Sequence, residues 1–194
     1  MNIKDYSFRF TKVILIFGLF FLSSSLFAFN LRTGFYGTSQ FPIGEASNYF
    51  KNAAGPGLAV EFGFIDNFGQ SLRLQWESVI PKNDKIINAW QLSQLLGLWY
   101  SIPIGASGFS AQPSIEIGLM YQGAKIQDGY GTLPKRAYLD CVIQLCPSFR
   151  FKHPKMLSNC IELELSPLWS IIPQKSQGLV FAGARLGIFY VFDL

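Results

Sequence analysis

Arg185-Leu-Gly-Ile-Phe-Tyr-Val-Phe-Asp-Leu194 is the stretch on which the fold turns. Read with period two, Leu186, Ile188, Tyr190, Phe192 and Leu194 make one apolar and aromatic face. Gly183, Arg185, Gly187, Phe189, Val191 and Asp193 make the other. Successive side chains of a strand point to opposite faces, so this stretch predicts a strand with one side for lipid and one for a lumen. An ordinary strand of a soluble sheet carries the same short pattern, so the remainder of the chain has to decide.

Seven more period-two segments precede it, separated by turn-rich stretches. The first, Asn30 to Thr38, sets Leu31, Thr33 and Phe35 against Arg32, Gly34 and Tyr36. The second, Gly57 to Ile65, sets Leu58, Val60, Phe62 and Phe64 against Ala59, Glu61 and Gly63. After Asp66-Asn67-Phe68-Gly69, a third sets Leu72, Leu74 and Trp76 against Arg73, Gln75 and Glu77. The fourth, Trp90 to Tyr100, is least regular, because Gln94 interrupts its apolar face. The fifth (Gln112 to Gln122), sixth (Tyr138 to Phe151) and seventh (Cys160 to Ile172) alternate in the same way. Pro113, Pro147 and Pro167 fall in or near these strands and each removes a ladder donor, which suits strand ends, bulges or a register change.

Charge distinguishes the two faces. Arg32, Glu61, Arg73, Glu77, Glu116, Asp140, Arg150, Glu162, Glu164 and Arg185 all lie opposite the apolar residues, as does Asp193. A charge facing lipid at mid-bilayer costs roughly 2–4 kcal/mol. The expected fold is therefore all-β, an eight-stranded antiparallel transmembrane barrel that is apolar outward and charged inward. Eight strands leave an interior just wide enough for side chains. Four Arg and their carboxylates in that space must pair, and a plugged lumen of guanidinium–carboxylate bonds follows.

The C-terminal stretch resembles the last strand of bacterial outer-membrane β-barrel proteins, whose insertion signal reads polar, any, Gly, any, any, aromatic, any, aromatic. Arg185, Gly187, Tyr190 and Phe192 fit it in register, and Asp193 and Leu194 extend past the last aromatic. In pattern, residues 29–194 resemble the small barrels typified by the OmpA transmembrane domain, OmpX and OmpW. The resemblance implies an outer-membrane location, outer-membrane lipid as surroundings, and recognition of the C-terminal strand by the barrel-assembly machinery. With both termini in the periplasm, the outer loops fall at Ser39 to Gly55, Ile80 to Ala89, Gly123 to Ala137 and Pro173 to Gln177. Seven basic and three acidic residues lie in these loops.

Residues 1–28 have the layout of a cleavable secretory signal. Lys4, Arg9 and Lys12 precede an apolar run from Val13 to Leu22, then Ser23, Ser24, Ser25 and Ala28. Cleavage after Ala28 or after Ser25 fits the small residues. A membrane anchor needs roughly twenty apolar residues, about twice this run. Without residues 1–28 the chain holds 13 basic and 11 acidic residues, a balance that gives no support for nucleic-acid binding.

Catalytic and metal chemistry find little footing. His153 is the lone histidine, with Ser158, Glu162 and Glu164 beyond it, but the topology puts it in a periplasmic turn, away from outer-leaflet lipid. Glu162 and Glu164 share one strand face and suit ion pairing with Arg150 or Arg185 better than a glycosidase pair. Gly55-Pro-Gly57 has no helix after it and reads as a loop exit. One His and scattered Cys offer no metal-ligand spacing, so no cofactor is expected. Cys146 and Cys160 are symmetric about position 153 and share the inward face, which lets them oppose each other as a disulfide or as two small buried residues. Cys141 points to lipid. The reading is a non-enzymatic outer-membrane barrel for envelope structure, surface interaction or small-solute passage. Its alternatives are a secreted lipocalin-like barrel with its apolar face inward and a lipid A-modifying barrel enzyme.

Overall fold

The computed structural model describes residues 30–65, 67–82, 86–105, 108–128, 131–132, 136–152, 160–173 and 178–193. Residues 1–28, expected from the sequence to be an export signal, lie outside the described residues, as do His153, Ser158, Leu194 and the side chain of Asp193.

Alternating apolar and polar residues pair into long antiparallel strands: β1 (Asn30–Ile43), β2 (Phe50–Ile65), β3 (Phe68–Pro81), β4 (Ile86–Tyr100), β6 (Phe109–Asp128), β8 (Arg136–Lys152), β9 (Cys160–Ile172) and β10 (Leu179–Asp193). Two short strands, β5 (Ile102–Ile104) and β7 (Gly131–Thr132), both pair with β6. The long strands follow the order β4-β3-β2-β1-β10-β9-β8-β6, and a β4–β6 ladder joins the two ends. The sheet is thus a closed eight-stranded barrel with no free edge, the arrangement that satisfies backbone groups without water. β1 meets β10 from Asn30↔Asp193 to Ile43↔Val180. That pairing brings both ends of the described chain to one rim, called here the terminal end. Among the described residues no helix is long and apolar enough to cross a membrane, so any crossing is made by strands.

The outer face is apolar. Phe35, Leu186, Leu165, Ile188, Phe149 and Ile117 are all exposed. This orientation overturns the lipocalin-like alternative, which needs those residues inside. Trp76, Tyr100, Tyr121, Trp169 and Tyr190 also face outward, and the ring of Trp90 lies 5.4 Å from that of Tyr121. Trp99 points inward instead, where its indole N–H donates to the Gln70 carbonyl at 3.2 Å.

Three expectations need correction. Three of the four stretches read as outer loops are mostly strand. β1 continues to Ile43, a helical turn at Ala46–Tyr49 follows Gly44 in a left-handed conformation (φ 60°), and β2 resumes at Phe50. Likewise β6 runs to Asp128 and β8 starts at Arg136. Small residues such as Ser39, Ala53, Ala54 and Gly55 blur the alternation, but the neighbouring strands hold them in register (Ser39↔Ala54, Ala54↔Ser78). Pairing, and not local propensity, sets strand length there.

The prolines are the second correction, because they mark neither strand ends nor a bulge or change of register. Pro113 faces Pro147 across β6–β8, and Pro167 faces Ala184 across β9–β10. The β8–β9 ladder keeps one register on both sides of a gap, Leu145↔Trp169 and Phe149↔Leu165. Continuing that register through the gap sets Pro147 against Pro167. Neither has an N–H to donate, which accounts for the break.

The third concerns cysteine. That same register sets Cys146 against Leu168, eight positions along β9 from Cys160. The two cysteines therefore do not oppose each other, and no disulfide joins any of the three. Cys146 and Cys160 are buried and Cys141 is exposed on the outer face.

Candidate functional site

Among the described residues, the interior is where the chain concentrates its polar chemistry. Inward positions on β2, β3, β6, β8, β9 and β10 carry Glu61, Arg73, Glu116, Arg150, Glu162, Glu164 and Arg185, all with little or no exposure. At mid-barrel they touch one another. Arg73 lies 2.6 Å from Glu61, 2.9 Å from Glu116 and 3.2 Å from Glu164. Arg150 lies 2.7 Å from Glu61 and 2.5 Å from Glu164. Arg185 meets Glu116 in a two-pronged contact, Nη1–Oε1 at 2.8 Å and Nη2–Oε2 at 2.9 Å, and donates to Gln144 Oε1 at 2.8 Å. Nearer the terminal end, Arg32 reaches Glu162 at 3.4 Å and Glu61 at 4.0 Å. Each charge thus stands against at least one opposite charge, the condition for tolerating burial.

Two rings complete this layer, and neither drew notice as an interior residue of consequence in the sequence. The Phe189 ring lies 4.3 Å from the Arg150 guanidinium carbon and 5.5 Å from that of Arg73. Tyr36 lies 4.9 Å from Arg185 and 5.2 Å from Arg73. These are cation–π distances. Glycine makes room for both rings. A Cβ on Gly57 would fall 2.2 Å from the Tyr36 ring, and one on Gly34 would fall 2.7 Å from the Phe189 ring. Inward glycine on a strand beside one bearing an inward aromatic was the available signal. Trp99, with Arg32 over its ring at 4.9 Å, fills the terminal end in the same manner.

Glu77 and Asp140 do not join this cluster. Glu77 is fully buried, yet its carboxylate accepts from neutral groups: the Thr38 hydroxyl at 2.6 Å, the Gln40 amide at 2.7 Å and the Gln91 amide. Ser170 continues the set by donating to Gln40 Oε1 at 2.6 Å. Asp140, towards the distal part of β8, is only half-buried and has no ion pair among the described residues. The rule that inward carboxylates pair with arginine thus fails for these two. Beside the Glu77 cluster, Leu95, Met120, Val142, Ile172, Leu179 and Phe181 pack together, with Ala46 of the helical turn against them. From the terminal end to the distal end the interior is therefore aromatic and cationic, then ionic, then partly neutral-polar and partly apolar.

The residues of the C-terminal pattern divide between the two faces. Arg185 and Gly187 are inward and buried. Tyr190 and Phe192 are outward, with ring centroids 4.6 Å apart. No group of His, Cys, Asp and Glu among the described residues has the geometry of a metal site.

A closed eight-stranded antiparallel barrel, apolar outside and charged inside, is the architecture of small bacterial outer-membrane β-barrels. Solved structures agree. Ail, the attachment invasion locus protein of Yersinia pestis, matches with a TM-score of 0.57 at 15% identity, covering 84% of this chain and 97% of that one. Neisserial surface protein A matches with a TM-score of 0.56 at 10% identity, covering 83% and 96%. At such identities the likeness is one of fold. The chain matches no protein-family model and no curated protein.

Proposed function

We propose that this chain is a non-catalytic outer-membrane barrel whose interior is closed by its own side chains, and which acts at the envelope as a structural or surface-interaction protein. The observation that carries this reading is the mid-barrel cluster of Arg73, Arg150 and Arg185 with Glu61, Glu116 and Glu164, all buried and mutually in contact. An interior filled in this way disfavours solute passage and leaves the distal rim as the part available to partners. The ten inward charges read from the sequence serve as the plug or line it, with Glu77 held by neutral donors. Residues 1–28 direct export and are removed. The pattern Arg185, Gly187, Tyr190 and Phe192 is read by the barrel-assembly machinery, which puts both termini in the periplasm and the distal rim outside.

This orientation bears on the enzymatic alternative. The strand ends that flank the only histidine, Lys152 and Cys160, lie at the terminal end with Asn30 and Asp193. Histidine is the usual general base for acyl chemistry, and on this orientation those two strand ends are remote from outer-leaflet lipid A. Cells carrying the native chain, His153→Ala or no protein should therefore yield lipid A of the same mass. The measurement is mass spectrometry of extracted lipid A. A shift of one acyl chain that needs both the protein and His153 would replace this reading with an acyltransferase or deacylase.

A further inference from the structure

Gln94 sits where the outer-membrane reading has no use for it. It is exposed on the outer face of β4, six positions from Tyr100 and eight from Ile86, hence near the middle of the wall. Its lateral neighbours are Leu74 on β3 and Leu119 on β6. Along its own strand Leu92 and Leu96 face the same way, and Leu72 and Ile117 complete an apolar surround. Among the described residues the Gln94 side chain makes no hydrogen bond. An outward amide at mid-bilayer thus has neither water nor protein to satisfy it, in a medium where unsatisfied polar groups are costly.

The chemistry of the group specifies its partner. A carboxamide carries both donors and an acceptor, so it complements another carboxamide. A two-fold axis along the membrane normal keeps each residue and its copy at the same depth, and a residue beside the axis meets its own copy. Gln94 then meets Gln94 with two N–H···O bonds, inside a dry ring of leucines. We propose that the β3–β4–β6 outer face is a homodimer interface pinned by the Gln94 pair. Lipid tails compete equally for the apolar ring, so the amide pair supplies the specificity. This inference rests on the outer-membrane reading, since in water Gln94 would need no partner.

The test uses the full-length protein reconstituted into phosphatidylcholine vesicles, labelled separately with donor and acceptor dyes at the distal rim. Membrane hydrogen bonds of this kind are modest singly, and two of them correspond to about a tenfold change in association. Native protein should show energy transfer that falls on dilution with lipid. Gln94→Leu should raise the dissociation constant about tenfold or more, and Gln94→Asn, which retains the amide, should stay near native. In a background with Cys141, Cys146 and Cys160 replaced by Ser, Gln94→Cys should form a disulfide dimer upon mild oxidation. Native protein that stays monomeric at high protein-to-lipid ratio, or Gln94→Leu that associates as well as native, would overturn the dimer. Cross-linking of the Gln94→Cys variant in intact cells to a different membrane protein, and never to itself, would also overturn it, in favour of a hetero-partner. Failure to co-float with vesicles would instead sink the membrane reading beneath it.

Discussion

Arg185→Ala should destabilise the barrel by about 3–5 kcal/mol, the usual result of removing one partner from a buried ion pair. The loss is large because Arg185 is fully buried and satisfies two groups at once, both oxygens of Glu116 and the Gln144 carbonyl oxygen. Without it Glu116 keeps Arg73 at 2.9 Å as its single cation, and Arg73 is already shared with Glu61 and Glu164. The Tyr36 ring also loses the guanidinium stacked at 4.9 Å. Urea unfolding of the protein in lipid vesicles measures the change. The double variant Arg185→Leu with Glu116→Leu should recover much of the stability, since an apolar pair of similar volume leaves no unpaired charge. An Arg185→Ala variant as stable as native would show that the interior charges are solvated and independent.

Replacing both Tyr190 and Phe192 with Ser should abolish assembly, leaving protease-sensitive chain in the periplasm. Both rings lie on the outer face of the strand that closes the barrel against β1, through Thr33↔Tyr190 and Leu31↔Phe192. The substitution removes the two aromatics of the C-terminal pattern and the edge contact between them, and leaves the interior residues Arg185, Gly187 and Phe189 in place. The assay is fractionation with heat-modifiable electrophoretic migration, which folded barrels show and unfolded chain does not. Normal assembly of this double variant would remove the insertion-signal reading while leaving the barrel itself untouched.

Most of the fold was legible because strand periodicity is rigid. A residue such as Glu61, between Val60 and Phe62, has one face available, and a charge cannot sit on the lipid side at tolerable cost. Eight such segments then imply a closed sheet of known size. What escaped was whatever depends on partners across strands. Ser39 and Ala54 look like loop residues until each is held by the other. The β8–β9 register is set by pairs such as Arg150↔Glu164, not by the midpoint of the turn, so the symmetric placing of Cys146 and Cys160 misled. Glu77 looked like any inward carboxylate, and only the positions of Thr38, Gln40 and Gln91 show that neutral donors serve it. Interior rings were hidden for the same reason, since Gly57 gains meaning only beside Tyr36.

The most direct test of the closed interior is single-channel recording of the purified barrel in planar bilayers. On the proposed reading, Trp99 with Arg32 at the terminal end, the ionic layer at mid-barrel and the apolar cluster beside the Ala46 turn together deny ions a continuous wet path. The native protein should insert and show no steady conductance above the bare bilayer. A stable open channel carried by the correctly folded, heat-modifiable protein would contradict the account, because the charges would then line a hydrated pore.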